Sequence, residues 1–367
     1  MATADDYAFM ARALRLAERG LYTTTPNPRV GCVIVAPRGD RARGEVVGEG
    51  FHARAGEDHA EIHALIAAGE RARGATVYVT LEPCNHHGRT PPCTNALIAA
   101  GVARVVAAMQ DPNPLVSGQG LAQLREARID TECGVLEAQA RELNAGFISR
   151  MTRSRPWLRL KTAASLDGRT ALRNGVSQWI TGEAARRDGH RWRARSCAVM
   201  VGIGTLLSDN PRLTVRDVRT DRQPLRIVID RSLAMPLDAK VLDGGQTLVA
   251  YSESSAEKMR QLEARGATLV RIADDNGKVD LVELLRELGR RELNEILVES
   301  GNRLNGALLR AGLVDELIMY FAPHLLGDEA RGMFDLGELT QLDQRLQLSI
   351  HDVRRVGADW RMIARVA

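Results

Sequence analysis

His59, Glu61, Cys84 and Cys93 are the residues of this 367-residue chain whose types and spacing imply chemistry most directly. One imidazole and two thiolates can supply three zinc ligands and leave a fourth position for water. Zinc bound in this way lowers the pKa of that water toward neutrality. A base is then needed beside the metal but not on it. Glu61 fits, because it lies two residues after His59 on the same helical turn and need not coordinate. The reading is therefore Zn2+ on His59, Cys84 and Cys93, with Glu61 as the catalytic acid–base group.

This H-x-E … P-C … C order is the arrangement of zinc-dependent nucleobase deaminases. The usual cysteine gap is two residues, whereas eight separate Cys84 and Cys93 here. His86 and His87 lie inside that gap and compete as ligands. The cysteines rank higher because each follows a proline in a loop able to enter a helix N-terminus. A structural zinc site would more often have four protein ligands and would leave Glu61 idle. His59 and His63 do not make a zincin pair, since that motif places Glu directly after the first His.

Other candidates are weaker. Asn27 lies in Thr25-Pro26-Asn27-Pro28, where its amide could pair with a pyrimidine edge or simply serve a rigid turn. Val201-Gly202-Ile203-Gly204 begins like a dinucleotide fingerprint, but Leu207 ends the match, so a Rossmann site is not expected. Glu299-Ser300-Gly301-Asn302 follows an expected strand and opens an expected helix. An anion could dock at that helix N-terminus.

The elements that must position these groups form two α/β patterns. In the first, Gly31–Ala36, Thr76–Leu81 and Ala103–Met109 read as strands. His59–Ala68, Thr94–Ala100, Gly120–Ala127 and Glu137–Ile148 read as helices. Ser149–Pro156 is polar, basic and ends in Pro, which places a linker there and domains at 1–150 and 151–367. In the second, Trp157–Ala163, Ala198–Val201, Leu225–Ile229, Thr247–Tyr251, Glu295–Glu299 and Glu316–Ala322 read as strands, and Leu346–Val366 as a hairpin. Helices are expected over Glu183–Arg195, Ala256–Ala264, Leu281–Arg290 and Arg303–Ala311.

Composition excludes several classes. Hydrophobic residues make up 44% and charged residues 26%, as in soluble globular proteins. No apolar run is long enough to span a membrane, and the acidic N-terminus does not resemble a secretory signal, so a cytoplasmic location is expected. Net charge is −1 over the first 150 residues and +5 over the rest. Neither value suggests nucleic-acid binding. Five cysteines at irregular spacing favour free thiols or metal ligands over disulfides. Cys32, Cys133 and Cys197 sit in apolar runs and are expected in the core.

Taken together, TPNPRVGCVIV, HAEIHAL, VTLEPCNHHGRTPPC and LKTAASLDGRTA resemble the bifunctional riboflavin-biosynthesis deaminase/reductases, from about Asp6 to Arg365. The resemblance implies an α/β fold with an N-terminal cytidine-deaminase-like three-layer domain and a C-terminal dihydrofolate-reductase-like domain. It implies zinc-dependent deamination of 2,5-diamino-6-(5-phosphoribosylamino)pyrimidin-4-one and then NADPH-dependent reduction of the ribosyl group to ribityl. By the same likeness Ala163, Trp179, Thr205, Asp209 and Gly301, Asn302, Arg303, Leu304, Asn305, Gly306 and Ala307 line the NADPH site. Ser177, Arg193, Leu213, Arg216 and Glu299 contact a phosphorylated pyrimidine substrate, where guanidinium groups suit phosphate. Lys161 and Asp167 help position the sugar. No nucleic-acid or membrane partner is expected, and a homo-oligomer is left open. The alternative is a nucleoside or RNA zinc deaminase with a C-terminal binding domain. It predicts a basic, aromatic surface for flipped bases, which a chain with 4% aromatic residues does not favour.

Overall fold

The computed structural model describes residues 2–37, 44–86, 91–114 and 116–366. The chain forms two compact units, Met1–Ser154 and Arg155–Ala367. Among the described residues no helix is long and apolar enough to cross a membrane.

The first unit runs α1 (Ala4–Ala17), β1 (Gly31–Ala36), β2 (Glu45–Phe51), α2 (Ala60–Ala68), β3 (Thr76–Val79), α3 (Cys93–Ala100), β4 (Arg104–Ala107), α4 (Gln119–Glu126), β5 (Asp130–Cys133), α5 (Glu137–Leu143) and α6 (Ala145–Arg153). Its sheet has the order β2-β1-β3-β4-β5, antiparallel at β2-β1-β3 and parallel from β3 to β5. Helices cover both faces. A Cβ on Gly31 would overlap Ala13 O of α1, and one on Gly50 would overlap Ala60 O of α2. Gly50 pairs with Cys32, the neighbour of Gly31, so the two glycines point to opposite faces. The segment expected as a linker is mostly α6, so the division falls at 154/155 rather than 150/151. Charge misled here: Arg150 and Arg153 sit in the last turn of α6, where cations complement the helix dipole.

The second unit adds β6 (Trp157–Ser165), β7 (Arg169–Ala171), α7 (Glu183–Arg195), β8 (Ala198–Gly202), α8 (Ile203–Asp209), β9 (Leu225–Ile229), β10 (Thr247–Tyr251), α9 (Ala256–Ala264), β11 (Ala267–Arg271), α10 (Leu281–Arg290), β12 (Glu295–Val298), α11 (Asn302–Arg310), β13 (Glu316–Ala322), β14 (Arg331–Gly332), β15 (Leu348–Val356) and β16 (Asp359–Val366). Nine strands form one sheet in the order β11-β10-β9-β8-β12-β6-β13-β16-β15. It is parallel through β13, and the C-terminal hairpin adds antiparallel. Alternate residues feed two cores. Ala198 and Met200 pack with Leu284, Leu288 and Leu308, while Val199 and Val201 pack with Leu206 and Leu262. Burial on both faces explains why these strands read as continuous apolar runs. Arg159 of β6 is fully buried, and Glu295 and Glu316 on the flanking strands neutralise it.

Candidate active sites

Two helix N-termini bring the predicted metal ligands together. His59 caps α2, and Cys93 is the first residue of α3. His59 Nδ1 lies 3.2 Å from Cys93 Sγ and 3.5 Å from Cys84 Sγ. The three donor atoms all lie within 4.8 Å of one another. A tetrahedral zinc with ordinary Zn–N and Zn–S bonds separates N from S by about 3.6 Å. The donor set and its spacing therefore fit that ion. The Cys93 backbone N–H donates to Cys84 Sγ at 3.3 Å, and both helix N-termini favour thiolate. Hydrogen bonds from the Cys93 thiol and then from His59 hold the Cys84 thiol well below its ordinary pKa. His86 is exposed and outside this cluster, and His87 lies outside the described residues.

Glu61 stands in the first turn of α2 and is 3% exposed. Burial, and next the Cys84 thiolate, push its carboxyl up to about 7. Close packing of α2 on Gly48 and Gly50 of β2 fixes where this helix begins.

Asn27 Nδ2 donates to His52 Nε2 at 3.0 Å. His52 Nδ1 faces Asp58 O at 3.1 Å, so Nδ1 carries the proton and Nε2 accepts. The His52 ring meets His59 edge-on, with centroids 5.3 Å apart. Asn27 is therefore oriented next to the ligand cluster. His52 gave no sequence signal, since a lone His in a polar loop is ambiguous. Glu82, two residues before Cys84, was also missed. Its buried carboxylate accepts N–H bonds from Asp111, Gly118 and Leu121.

In the second unit a cavity of about 1280 Å³ opens at the C-terminal ends of β9, β8, β12 and β6. Ala163, Trp179, Thr205, Asp209, Gly301, Asn302, Arg303, Leu304 and Ala307 all line it, as do Ser177, Arg193, Leu213, Arg216 and Glu299. The Gly301 N–H donates to Thr205 Oγ1 at 3.1 Å, which ties α8 to the start of α11. Asn305 and Gly306 do not line the cavity. The Asn305 amide is spent on Ser300 O and Met333 O, and a Cβ on Gly306 would overlap Asp335 O. A run read as continuous is helical, so only part of it can face one side.

Arg193 is already engaged. Its guanidinium forms a two-pronged pair with Glu299 at 2.7 and 2.8 Å and also reaches Thr214 O. Burial pushes the Glu299 carboxyl up, but Arg193 and then Lys161 outweigh it and hold it down to about 2. Lys161 lines the same cavity, and burial lowers its pKa. Arg216 is exposed and keeps most of its guanidinium for a ligand. Asp167 is outside the lining, with its oxygens taken by Ser165 Oγ and by the N–H groups of Leu326 and Gly327. Arg231 and Lys278, which sequence reasoning missed, line the cavity beside Ile229, Val279 and Leu281. In so arginine-rich a chain Arg231 was indistinguishable from background. Cys32 and Cys197 are buried as expected, but Cys133 is exposed, because it ends edge strand β5, none of whose residues is buried.

Comparison with known proteins agrees with this division. The family model described as "RibD C-terminal domain" matches residues 156–362. The one described as "Cytidine and deoxycytidylate deaminase zinc-binding region" matches residues 3–109. The Riboflavin biosynthesis protein RibD of Escherichia coli is 52% identical over 97% of each chain. That of Aquifex aeolicus is 41% identical over 96% of each. Among solved structures, Acinetobacter baumannii RibD has a TM-score of 0.90 at 43% identity, with 99% of each chain covered. A Thermotoga maritima diaminohydroxyphosphoribosylaminopyrimidine deaminase/5-amino-6-(5-phosphoribosylamino)uracil reductase has a TM-score of 0.86 at 32% identity, again over 99% of each. The expected fold, a cytidine-deaminase-like unit followed by a dihydrofolate-reductase-like one, is borne out. A ligand-fit cluster in one unit, a large cavity in the other and relatives matching over nearly the whole of both chains place the chain in the RibD family of riboflavin-biosynthesis proteins.

Proposed function

We infer that the chain performs both RibD reactions, with hydrolytic deamination in Met1–Ser154 and reduction in Arg155–Ala367. The observation that carries the first is the His59–Cys84–Cys93 cluster with the Glu61 carboxyl buried against it. The substrate assigned is 2,5-diamino-6-(5-phosphoribosylamino)pyrimidin-4-one, which loses its C2 amino group as ammonia. Zn2+, when bound, supplies a Lewis acid that makes water nucleophilic near neutral pH. Glu61 would take a proton from the attacking water at a carboxylate oxygen and return it to the departing amine. Asn27, held by His52, presents its amide to the pyrimidine edge.

For reduction, NADPH supplies hydride when bound. The ribosyl group, opened to its C1′ imine, accepts it, and the protein contributes orientation. Ser177, Leu213, Arg216 and the Lys161–Glu299–Arg193 cluster receive the phosphorylated substrate. The start of α11, with Thr205, offers backbone N–H groups to the cofactor phosphates, and Ala163, Trp179 and Asp209 complete that wall. Arg231 and Lys278, which line the cavity, suit the extra phosphate that distinguishes NADPH from NADH.

The test is to incubate the zinc-loaded protein with the diaminopyrimidine phosphate and NADPH. Ammonia release and loss of NADPH absorbance are followed separately. Ammonia should appear without NADPH, and NADPH oxidation should require the deaminated product. Activity on cytidine or on RNA, but not on this substrate, would favour the alternative deaminase class.

A further inference from the structure

The Glu82 carboxylate is 4% exposed, yet what it binds is backbone. Oε2 accepts the N–H of Asp111 at 3.0 Å and of Gly118 at 2.9 Å, and Oε1 accepts that of Leu121 at 3.1 Å. Its own N–H donates to Met109 O at 2.9 Å. The next residue, Pro83, packs so closely on α4 that a Cβ on Gly120 would overlap its carbonyl oxygen. One side chain thus ties the loop leading to Cys84 to Asp111, Gly118 and Leu121. A second tie runs from the far side: Thr94 Oγ1, next to Cys93, donates to Gln123 Oε1 of α4 at 2.7 Å. The loop carrying Cys84 and the start of α3, which carries Cys93, are therefore both tied to α4. The same segment also holds the half-buried Asp111, whose carboxyl burial pushes up and which lies within the field of Cys84.

From these contacts we propose that Glu82 is a positioning residue for deamination. Through the backbone it sets Cys84 at ligand distance from His59 and Cys93, and it holds the backbones of Asp111 and Gly118 beside the loop that carries Cys84. The proposal rests on the zinc-deaminase reading above. The chemistry requires a carboxylate of this length. Three N–H donors need two acceptor oxygens. A glutamine of the same shape offers one, and turns an NH2 toward a donor. Aspartate keeps both oxygens but is one methylene short.

The test uses the full chain, loaded with Zn2+ or with Co2+. Wild type is assayed first. If it binds neither metal or releases no ammonia, the deaminase reading fails, and the Glu82 proposal is not what failed. Glu82→Gln is then compared at equal bound metal. The expected result is a drop of about 10–100-fold in kcat per bound metal, the size typical of groups that orient metal ligands. KM should change less, the thiolate-to-Co2+ charge-transfer bands should shift, and NADPH-dependent reduction of added deaminated substrate should stay within twofold. Unchanged bands with kcat per bound metal within twofold of wild type would overturn the proposal. So would activity that falls only in proportion to metal lost, the mark of a merely structural role. Should Glu82→Gln fail to fold, Glu82→Asp carries the test, with an expected loss smaller than for Gln. Wild-type kcat per bound metal and unshifted bands in that variant would overturn the proposal equally.

Discussion

Among single residues, buried carboxylates of the same type take different tasks from their surroundings. Glu61 is buried against a thiolate, which favours its protonated form, as a proton shuttle needs. Glu61→Ala should lower the rate of ammonia release by about 10²–10⁴-fold, while zinc measured by atomic absorption stays at the wild-type level. Loss of zinc together with activity would make Glu61 part of the metal cradle instead. Glu299 is the opposite case, held down to about 2 by Arg193 and Lys161 against the push of burial. A depressed carboxyl contributes stability that is fully present above its unfolded value of about 4.3 and is lost as pH falls toward 2. The thermal midpoint of the reductase unit should therefore drop steadily from pH 5 to pH 3. In Glu299→Gln that slope should shrink, although the midpoint is lower throughout because Arg193 loses its partner. An identical slope in the two proteins would remove Glu299 from the acid response. The His59, Cys84 and Cys93 cluster was legible in the sequence because ligand types and spacing are local properties. His52, Glu82 and Arg231 were not, because their meaning depends on what the fold brings next to them.

At the element scale, the site is a meeting of helix starts. The sequence reading placed α7, α9 and α10 at their observed bounds, and β9, β10 and β13 likewise; α10 and the three strands bury apolar runs. Short or polar elements such as β5, β7 and β14 carried no such pattern and were missed. So was α8, where two glycines near the start masked a helix. The most consequential miss was β2. Its Glu-Val-Val-Gly-Glu-Gly-Phe run is glycine-rich, and those glycines are what allow α2 to lie against the sheet. Gly50→Val should push the start of α2 outward and destabilise the first unit by about 1–3 kcal/mol, as overpacking does. The His59 and Glu61 positions move with it. Urea unfolding followed in the first unit, together with a zinc-affinity titration, checks this. Unchanged zinc affinity would show that α2 is positioned by something other than its seat on β2.

At the scale of the whole molecule, two compact units carry two chemistries that share no residue. Glu61→Ala should therefore leave NADPH-dependent reduction of the deaminated substrate within twofold of wild type. Loss of both steps in a folded variant would contradict that independence. The presence of two α/β units was legible from strand and helix alternation. Their boundary was displaced because a basic helix end resembles a linker when only composition is read. The reductase cavity was legible mainly through resemblance. Its lining comes from β6, α7, α8, β9 and α11, segments far apart in sequence, and the glycine-containing turns at 202–204 and 299–302 are each too incomplete as motifs to announce it. Two thiolates and one imidazole on a single zinc are the condition for everything said of the first unit. Zinc K-edge absorption on the purified protein reads this directly. The account predicts two sulfurs at about 2.3 Å, one nitrogen at about 2.0 Å and one further light atom. A zinc held by four protein sulfurs or nitrogens, or by none of the sulfurs, would contradict it.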